Sequence, residues 1–419
     1  NGINVQAGIL TAKNIIDASD AQYNTRVGTN AGNSFSGTNA TYNTLIGYEA
    51  GTAITTGDYN TALGGRDTLK ATTTGSYNVA LGNYTLSSNT TSGNNTAVGY
   101  AALNNNTAAS NTAVGHQALL ANTTGTRNVA VGYNALDANT TGGNNTSIGY
   151  LALTDNTTGA YNTALGDAAL GNNTTADNNT AVGYAALNLN TAAGNSAFGA
   201  TALDANTTGA ANQAFGYAAL GANTTGQYNC AFGHSALAAN TTSDSNTAVG
   251  YLALTANTTG NSNVAVGLEA LETNTTGVRN TALGMRALEA NSTGEENTAV
   301  GTGALYANTT ASYNVAVGQN ALVQNTTGEK NTGLGQDSLY SNTTGNRNVA
   351  VGRIALYTNS TGHYNTALGQ GAMYYNNADS NTSIGYESMN ANTTGTQNVA
   401  VGAYALDANT TTNSNTAVG

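Results

Sequence analysis

The chain has 419 residues and a formal net charge of -11, with only 7% of residues charged and 6% aromatic, and with no proline or tryptophan. Its 10 basic residues are scattered among 21 acidic ones, so no Lys or Arg cluster is present to neutralise phosphates, which argues against nucleic-acid binding. One cysteine, Cys230, permits no intrachain disulfide, and no run of about 18 apolar residues is present to cross a bilayer as a helix.

Residues 1–42 are irregular, with apolar stretches at Ile3–Val5, Ile9–Leu10 and Ile15–Ile16, and are expected to cap the first repeat or to begin a preceding segment. No charged-then-apolar leader stands at the start, and a first residue of Asn1 in place of Met suggests a processed or partial product. From Asn43 to Gly419 one phrase returns about every 17 residues, with the consensus N-T-A-V-G-Y-x-A-L-x-x-N-T-T-G-x-x. Low-complexity Gly/Asn/Thr composition raises the question of disorder, but the apolar residues recur at fixed positions, as a packed repeat requires.

Within a unit such as Asn128–Asn144, two apolar pairs stand out, Ala130/Val131 and Ala135/Leu136. Each lies in a segment of about four residues bounded by Gly and Asn, too short for a helix. Helical repeats need about 33 residues or more, so a 17-residue unit predicts an all-β parallel β-solenoid, a β-roll or β-helix with one rung per repeat. About 23 units stacked at ~4.8 Å predict an elongated rod on the order of 110 Å. Both pairs read as strand segments, with the small and the large residue on opposite faces. Side-chain burial in one coil cannot offset the ordering of its chain, so coil-to-coil hydrogen bonds must contribute, and a lateral partner would bury a second apolar stripe.

The glycine at position five, represented by Gly132, Gly149 and Gly166, does not vary from Gly47 onward, which predicts a backbone angle or a close approach that a Cβ would forbid. The opening asparagines, represented by Asn128, Asn145 and Asn162, are expected to satisfy a corner and to stack as an amide ladder. Three units are one residue short, Asn95 to Asn111, Asn179 to Asn195 and Asn365 to Asn381, and each loses its residue in the N-T-T-G segment. A turn that tolerates deletion reads as a surface corner. That makes the N-x-[ST] asparagines there candidate glycan acceptors: Asn89, Asn122, Asn139, Asn156, Asn173, Asn206, Asn223, Asn240, Asn257, Asn274, Asn291, Asn308, Asn325, Asn342, Asn359, Asn392 and Asn409. The competing reading is plain turn chemistry for Asn-Thr-Thr-Gly.

The N-T-A-V-G-Y-x-A-L units resemble the repeats of phage and bacterial tail-fibre-like proteins and, more loosely, the head repeats of trimeric autotransporter adhesins. The resemblance covers nearly the whole chain from Asn43, and its short motif marks an architecture. It implies a homotrimeric, left-handed parallel β-roll displayed outside the cell or on a virion. The 17-residue period departs from the shorter adhesin unit. The sequence stops in mid-repeat at Gly419, which is expected of a fragment of a longer fibre or of subunits that stack head to tail.

Catalytic and metal-binding patterns are weak. His116 and His234 occupy position six of separate units and His363 lies in a corner, spacing that does not suit a metal site. Cys230 stands where Thr or Val is usual and has no evident base. The acids Asp137, Asp155, Glu269, Glu272, Glu289, Glu295 and Glu296 fall at variable positions, without a cluster in any one unit. The position-six tyrosines Tyr100, Tyr133, Tyr150, Tyr184, Tyr217 and Tyr251 form an exposed stripe suited to packing against another chain or to stacking on sugars. The sequence therefore points to a non-enzymatic, extracellular structural fibre without cofactors, self-associating and glycosylated at its corners. The alternative is the shaft or head of a surface adhesin or tail fibre that binds a receptor or glycan.

Overall fold

The structure, a computed structural model, describes residues 17–18, 22–35 and 39–419. The apolar stretches Ile3–Val5, Ile9–Leu10 and Ile15–Ile16 lie outside them. The chain is an all-β parallel solenoid, one coil per repeat, and divides into two compact units, Asn1–Thr201 and Ala202–Gly419. In the first unit the parallel strands run from Thr25–Val27 to Ser196–Phe198, and in the second from Gln213–Phe215 to Thr416–Val418. Asp17–Ala18 pairs antiparallel with Thr25 and Arg26 and so covers the first strand's edge.

Each strand of these stacks has three residues and pairs with its neighbours position for position, as in Thr163↔Thr180, Ala164↔Ala181 and Leu165↔Val182. Parallel strands need a long crossover, and the rest of the coil supplies it. The solenoid begins before Asn43: Thr25–Val27 pairs in parallel with Thr44–Ile46, and the Asn43 N–H donates to Asn24 Oδ1 at 2.8 Å.

Hydrogen bonds between coils do not stop at the strands. In the coil opening at Asn145, the N–H groups of Leu153, Asp155, Thr157 and Thr158 donate to Ala169, Gly171 and Thr174 of the next coil. Those of Gly149, Leu151 and Tyr161 donate to Val131, Tyr133 and Gly143 of the preceding one. Such bonding on every side requires unusual backbone: Leu151, Leu153 and Tyr161 have φ of 52°, 52° and 59°. A left-handed leucine is strained, and it persists because the bonds on either side of it over-determine the turn.

This backbone also corrects the expectation for the two apolar pairs. In the strand, Ala130 faces inward and is fully buried while Val131 faces outward, as a strand requires. Ala135 and Leu136, by contrast, are both fully buried. They do not lie in a strand, because the φ of 55° at Leu136 turns its side chain to the same side as its neighbour's. The core of most coils is thus two alanines and a leucine, joined by asparagines.

At position five, Gly132, Gly149 and Gly166 have φ of 140°, 144° and 141°. A Cβ on the equivalent Gly301 would sit 2.6 Å from the carbonyl oxygen of Gly318 in the next coil. Both the angle and the close approach inferred from the sequence are present. The unit from Asn60 to Asn78 is 18 residues long, and its extra residue falls between Gly64 and the buried Leu69. Deletions thus enter at one corner and this insertion at another.

Gly301→Ala is expected to lower stability by about 2 kcal/mol or more, since it forces a strained φ and a backbone clash. Ala185→Gly, at a position where φ is 52° and where Gly303 and Gly371 occur in other coils, is expected to raise it by about 0.5–1 kcal/mol. Hydrogen exchange at the affected coils measures both, and equal effects of the two changes would contradict the backbone argument.

Candidate functional site

Two columns of asparagine run inside each stack. In the first, each opening asparagine gives its backbone N–H to the side-chain oxygen of the one before: Asn128 to Asn111, Asn145 to Asn128 and Asn162 to Asn145, all at 2.9 Å. Their Nδ2 groups donate to the carbonyls of Gly142 at 2.9 Å and of Gly159 and Ala176 at 2.8 Å. In the second column, Asn139 Nδ2 donates to Asn122 Oδ1 at 2.8 Å and to the Gly142 carbonyl at 3.0 Å. Asn128 and Asn139 therefore converge on one carbonyl. That shared acceptor closes the coil on itself.

The second column comprises the asparagines expected to face solvent and carry glycans, and the structure corrects that expectation. Asn89, Asn122, Asn139, Asn156, Asn173, Asn206, Asn223, Asn240, Asn257, Asn274, Asn291, Asn308, Asn325, Asn342, Asn359 and Asn392 are fully buried, and Asn409 is half-buried. A glycan on Nδ2 would occupy the atom that builds the ladder. The corner does reach solvent, but through its threonines. Thr140 Oγ1 donates to the Thr157 carbonyl of the next coil at 3.0 Å, and Thr141 is exposed. Thr56 and Thr74 are exposed in the same way in coils whose interior position holds Ile54 or Thr72 instead of Asn, so the threonine belongs to the turn and not to an acceptor motif. Ala176 and Ala311 replace the corner glycine without a positive φ, unlike the glycine at position five.

The three short coils interrupt the second column. With one residue fewer, Asn106, Asn190 and Asn376 turn their Nδ2 groups to the carbonyls of Ala108, Ala192 and Ala378, two residues ahead. Each preceding asparagine then loses its donor, and Asn89 Oδ1, Asn173 Oδ1 and Asn359 Oδ1 are buried without a hydrogen-bond partner. The sequence places these breaks through its spacing, but they become visible only once the asparagines are known to point inward.

The surface carries two further sets of columns. On the outward strand face, position four holds Val, Leu, Ile or Phe throughout, with Leu165, Leu283 and Leu334 among the exposed members. Aromatic residues stack along the coils. Tyr23, Tyr42, Tyr59 and Tyr77 have centroids 4.9–5.1 Å apart, and His116 lies between Tyr100 and Tyr133 at 5.2 and 5.0 Å. His234 lies between Tyr217 and Tyr251 at 5.1 and 5.4 Å, with its ring inclined by 30° and 34° to theirs. Neighbouring rings cover one another's faces, so such columns offer edges and hydroxyls to a sugar where stacking needs an open face.

His363 takes the Asn346 N–H on Nδ1 at 2.9 Å and gives its own backbone N–H to Asp379 Oδ1 at 2.7 Å, beside an open groove of about 400 Å³ lined by Thr361, Asn377 and Thr396. Cys230 is a free, half-buried residue on the outward strand face, and burial pushes its thiol pKa up, away from a reactive thiolate. Glu269, Glu272 and Glu289 form a carboxylate cluster, with oxygens within 4.8 Å of one another. It is assembled from two adjacent coils, which is why inspection of single repeats misses it. Arg286 pairs with Glu269 at 3.1 Å and with Glu289 at 2.5 Å and occupies the side of the cluster where a cation would be drawn. Of the other acids, Asp137 is half-buried and Asp155 exposed, and Glu296 pairs with Arg279 at 2.6 Å.

Fold and interior together define a β-solenoid repeat protein. No family model matches the chain, and no curated protein matches it either. No helix among the described residues is long and apolar enough to cross a membrane.

Asn139→Ala is expected to cost about 3 kcal/mol, because it removes three hydrogen bonds and strands buried partners on Asn122 and Asn156, whereas Thr141→Ala should stay within about 0.5 kcal/mol. Amide exchange in the neighbouring coils reads the difference, and equal effects would place the asparagine outside the core. Burial raises the carboxyl pKa values of Asp137 and Asp204. Raised values mean that the stability these groups contribute is present when they are protonated and is lost as pH rises through the carboxylate range. The buried polar side chains are asparagine, threonine and serine, which do not titrate. Acidification from pH 7 to pH 4 is therefore expected to leave Tm unchanged or higher, and Asp137→Asn with Asp204→Asn should raise Tm at pH 7. A fall in Tm on acidification would contradict both.

Proposed function

We propose that the chain is a structural element, the rod of an extracellular fibre that associates with copies of itself and carries no catalytic centre. The observation that carries this reading is the bonding of each coil to both neighbours around its whole circumference. A fold held in this way transmits load from coil to coil, and it spends its residues on repetition where an enzyme would concentrate them in a cleft. An interior of amides and hydroxyls holds its bonds in any compartment, so placement outside the cell comes with the fibre reading and not from the core. The resemblance of the repeats to tail-fibre and adhesin repeats adds to the reading and rests on their residues alone. Burial of the corner asparagines removes the glycan sheath from it.

Sedimentation velocity and negative-stain electron microscopy of the full chain test the proposal. The expected particle is of uniform width, with a frictional ratio well above that of a compact sphere. A compact, rounded particle would overturn the fibre reading.

A further inference from the structure

We infer that copies of this chain associate laterally through the outward strand face, in parallel and in register, so that each coil meets its own equivalent. The inference rests on the fibre reading and adds which surface is used and in which alignment.

Every strand from Thr44–Ile46 to Val399–Val401 turns its middle residue inward and its first and third outward, and the outward residues line up because the pairing is position for position. At the third strand position, Phe232, Val249, Leu283, Leu334, Leu368 and Ile384 each keep 37–45% of their surface exposed. No Asp, Glu, Lys or Arg stands at the first or third position of any strand from Thr44–Ile46 to Thr416–Val418. Charges sit elsewhere on the coil, as with Arg279, Glu295 and Glu296 beside the opening asparagines. Depletion of charge is the mark of an interface core. With its flanking tyrosines, the face of either unit is a continuous apolar stripe rather than a scatter of single residues, and such a stripe marks an interaction surface.

Periodicity selects the occupant. The tyrosines Tyr340, Tyr357 and Tyr374 stack coil on coil with ring centroids 5.0 Å apart, and a partner must present apolar groups at the strand spacing of ~4.8 Å for the length of the stripe. A second copy does so by construction. The irregular coils select the alignment: in the first unit a 19-residue coil opens at Asn24, an 18-residue coil at Asn60 and 16-residue coils at Asn95 and Asn179, and in the second a 16-residue coil opens at Asn365, placements that are not symmetric within either unit. Antiparallel copies would set irregular coils against regular ones. Parallel copies in register set each irregular coil against itself.

The test uses the full chain with Cys230→Ser as background and a single new cysteine, treated with a short bismaleimide. Val266→Cys and Val401→Cys should each crosslink copy to copy in most of the protein, while Thr259→Cys, on an exposed corner, should not. Self-crosslinking at two separated sites requires parallel register, because an antiparallel pair brings equivalent residues together only at its centre. Crosslinking at Val266→Cys or Val401→Cys alone, or at all three sites equally, would overturn the inference. As a second measurement, Val249→Lys with Val266→Lys should reduce the sedimenting mass to one chain with an unchanged far-UV spectrum. Elongated particles of single-chain mass in the unsubstituted protein would overturn this interface and leave the fibre reading standing, whereas compact particles would overturn the fibre reading itself.

Discussion

The constraint on which the rest depends is that each coil must reproduce the one before it at a single axial spacing. Parallel strands about 5 Å apart impose that spacing, and the hydrogen bonds at the turns and corners hold every other part of the coil to it. The composition follows. Alanines at two inward positions keep the coil narrow, one leucine fills what remains, and the glycine at position five lets the backbone of the next coil pass where Gly301 meets Gly318. Charged side chains are left to the outer turns and corners, where the pairs they form contribute little.

Asparagine solves a problem that strands alone cannot. The turns expose backbone carbonyls to the interior, and a buried carbonyl must be paired. Asn128 and Asn139 both reach the Gly142 carbonyl while keeping an oxygen for the next coil. An amide side chain, with donor and acceptor on one short stem, can do this in every coil identically.

Much of this was legible in the sequence. The period excludes helical repeats, and the invariant glycine announces a forbidden Cβ. The direction of the corner asparagines was not legible, because deletion tolerance at N-T-T-G is a property of the backbone path, whereas Asn139 and Thr141 point to opposite sides of that path. The Ala135/Leu136 pair misled for a related reason. Alternation between faces holds only for extended backbone, and a left-handed leucine is not foreseeable from propensity. Contacts assembled from adjacent coils, such as the carboxylates around Arg286 and the tyrosine–histidine columns, need the register, which the sequence supplies only after the rung is known.

The breaks in the second asparagine column have an electrical side. Every side-chain amide in the run from Asn206 to Asn359 points the same way, each Nδ2 donating to the oxygen of the coil before. Aligned amide dipoles polarise one another, so bonds in the middle of a long run are stronger than those at its ends. Asn173 and Asn359 each end such a run with an unpaired oxygen, and the short coil after each begins a new one. Deleting one residue from a coil therefore sets the length over which polarisation accumulates, and the short coils partition each stack into electrically separate blocks.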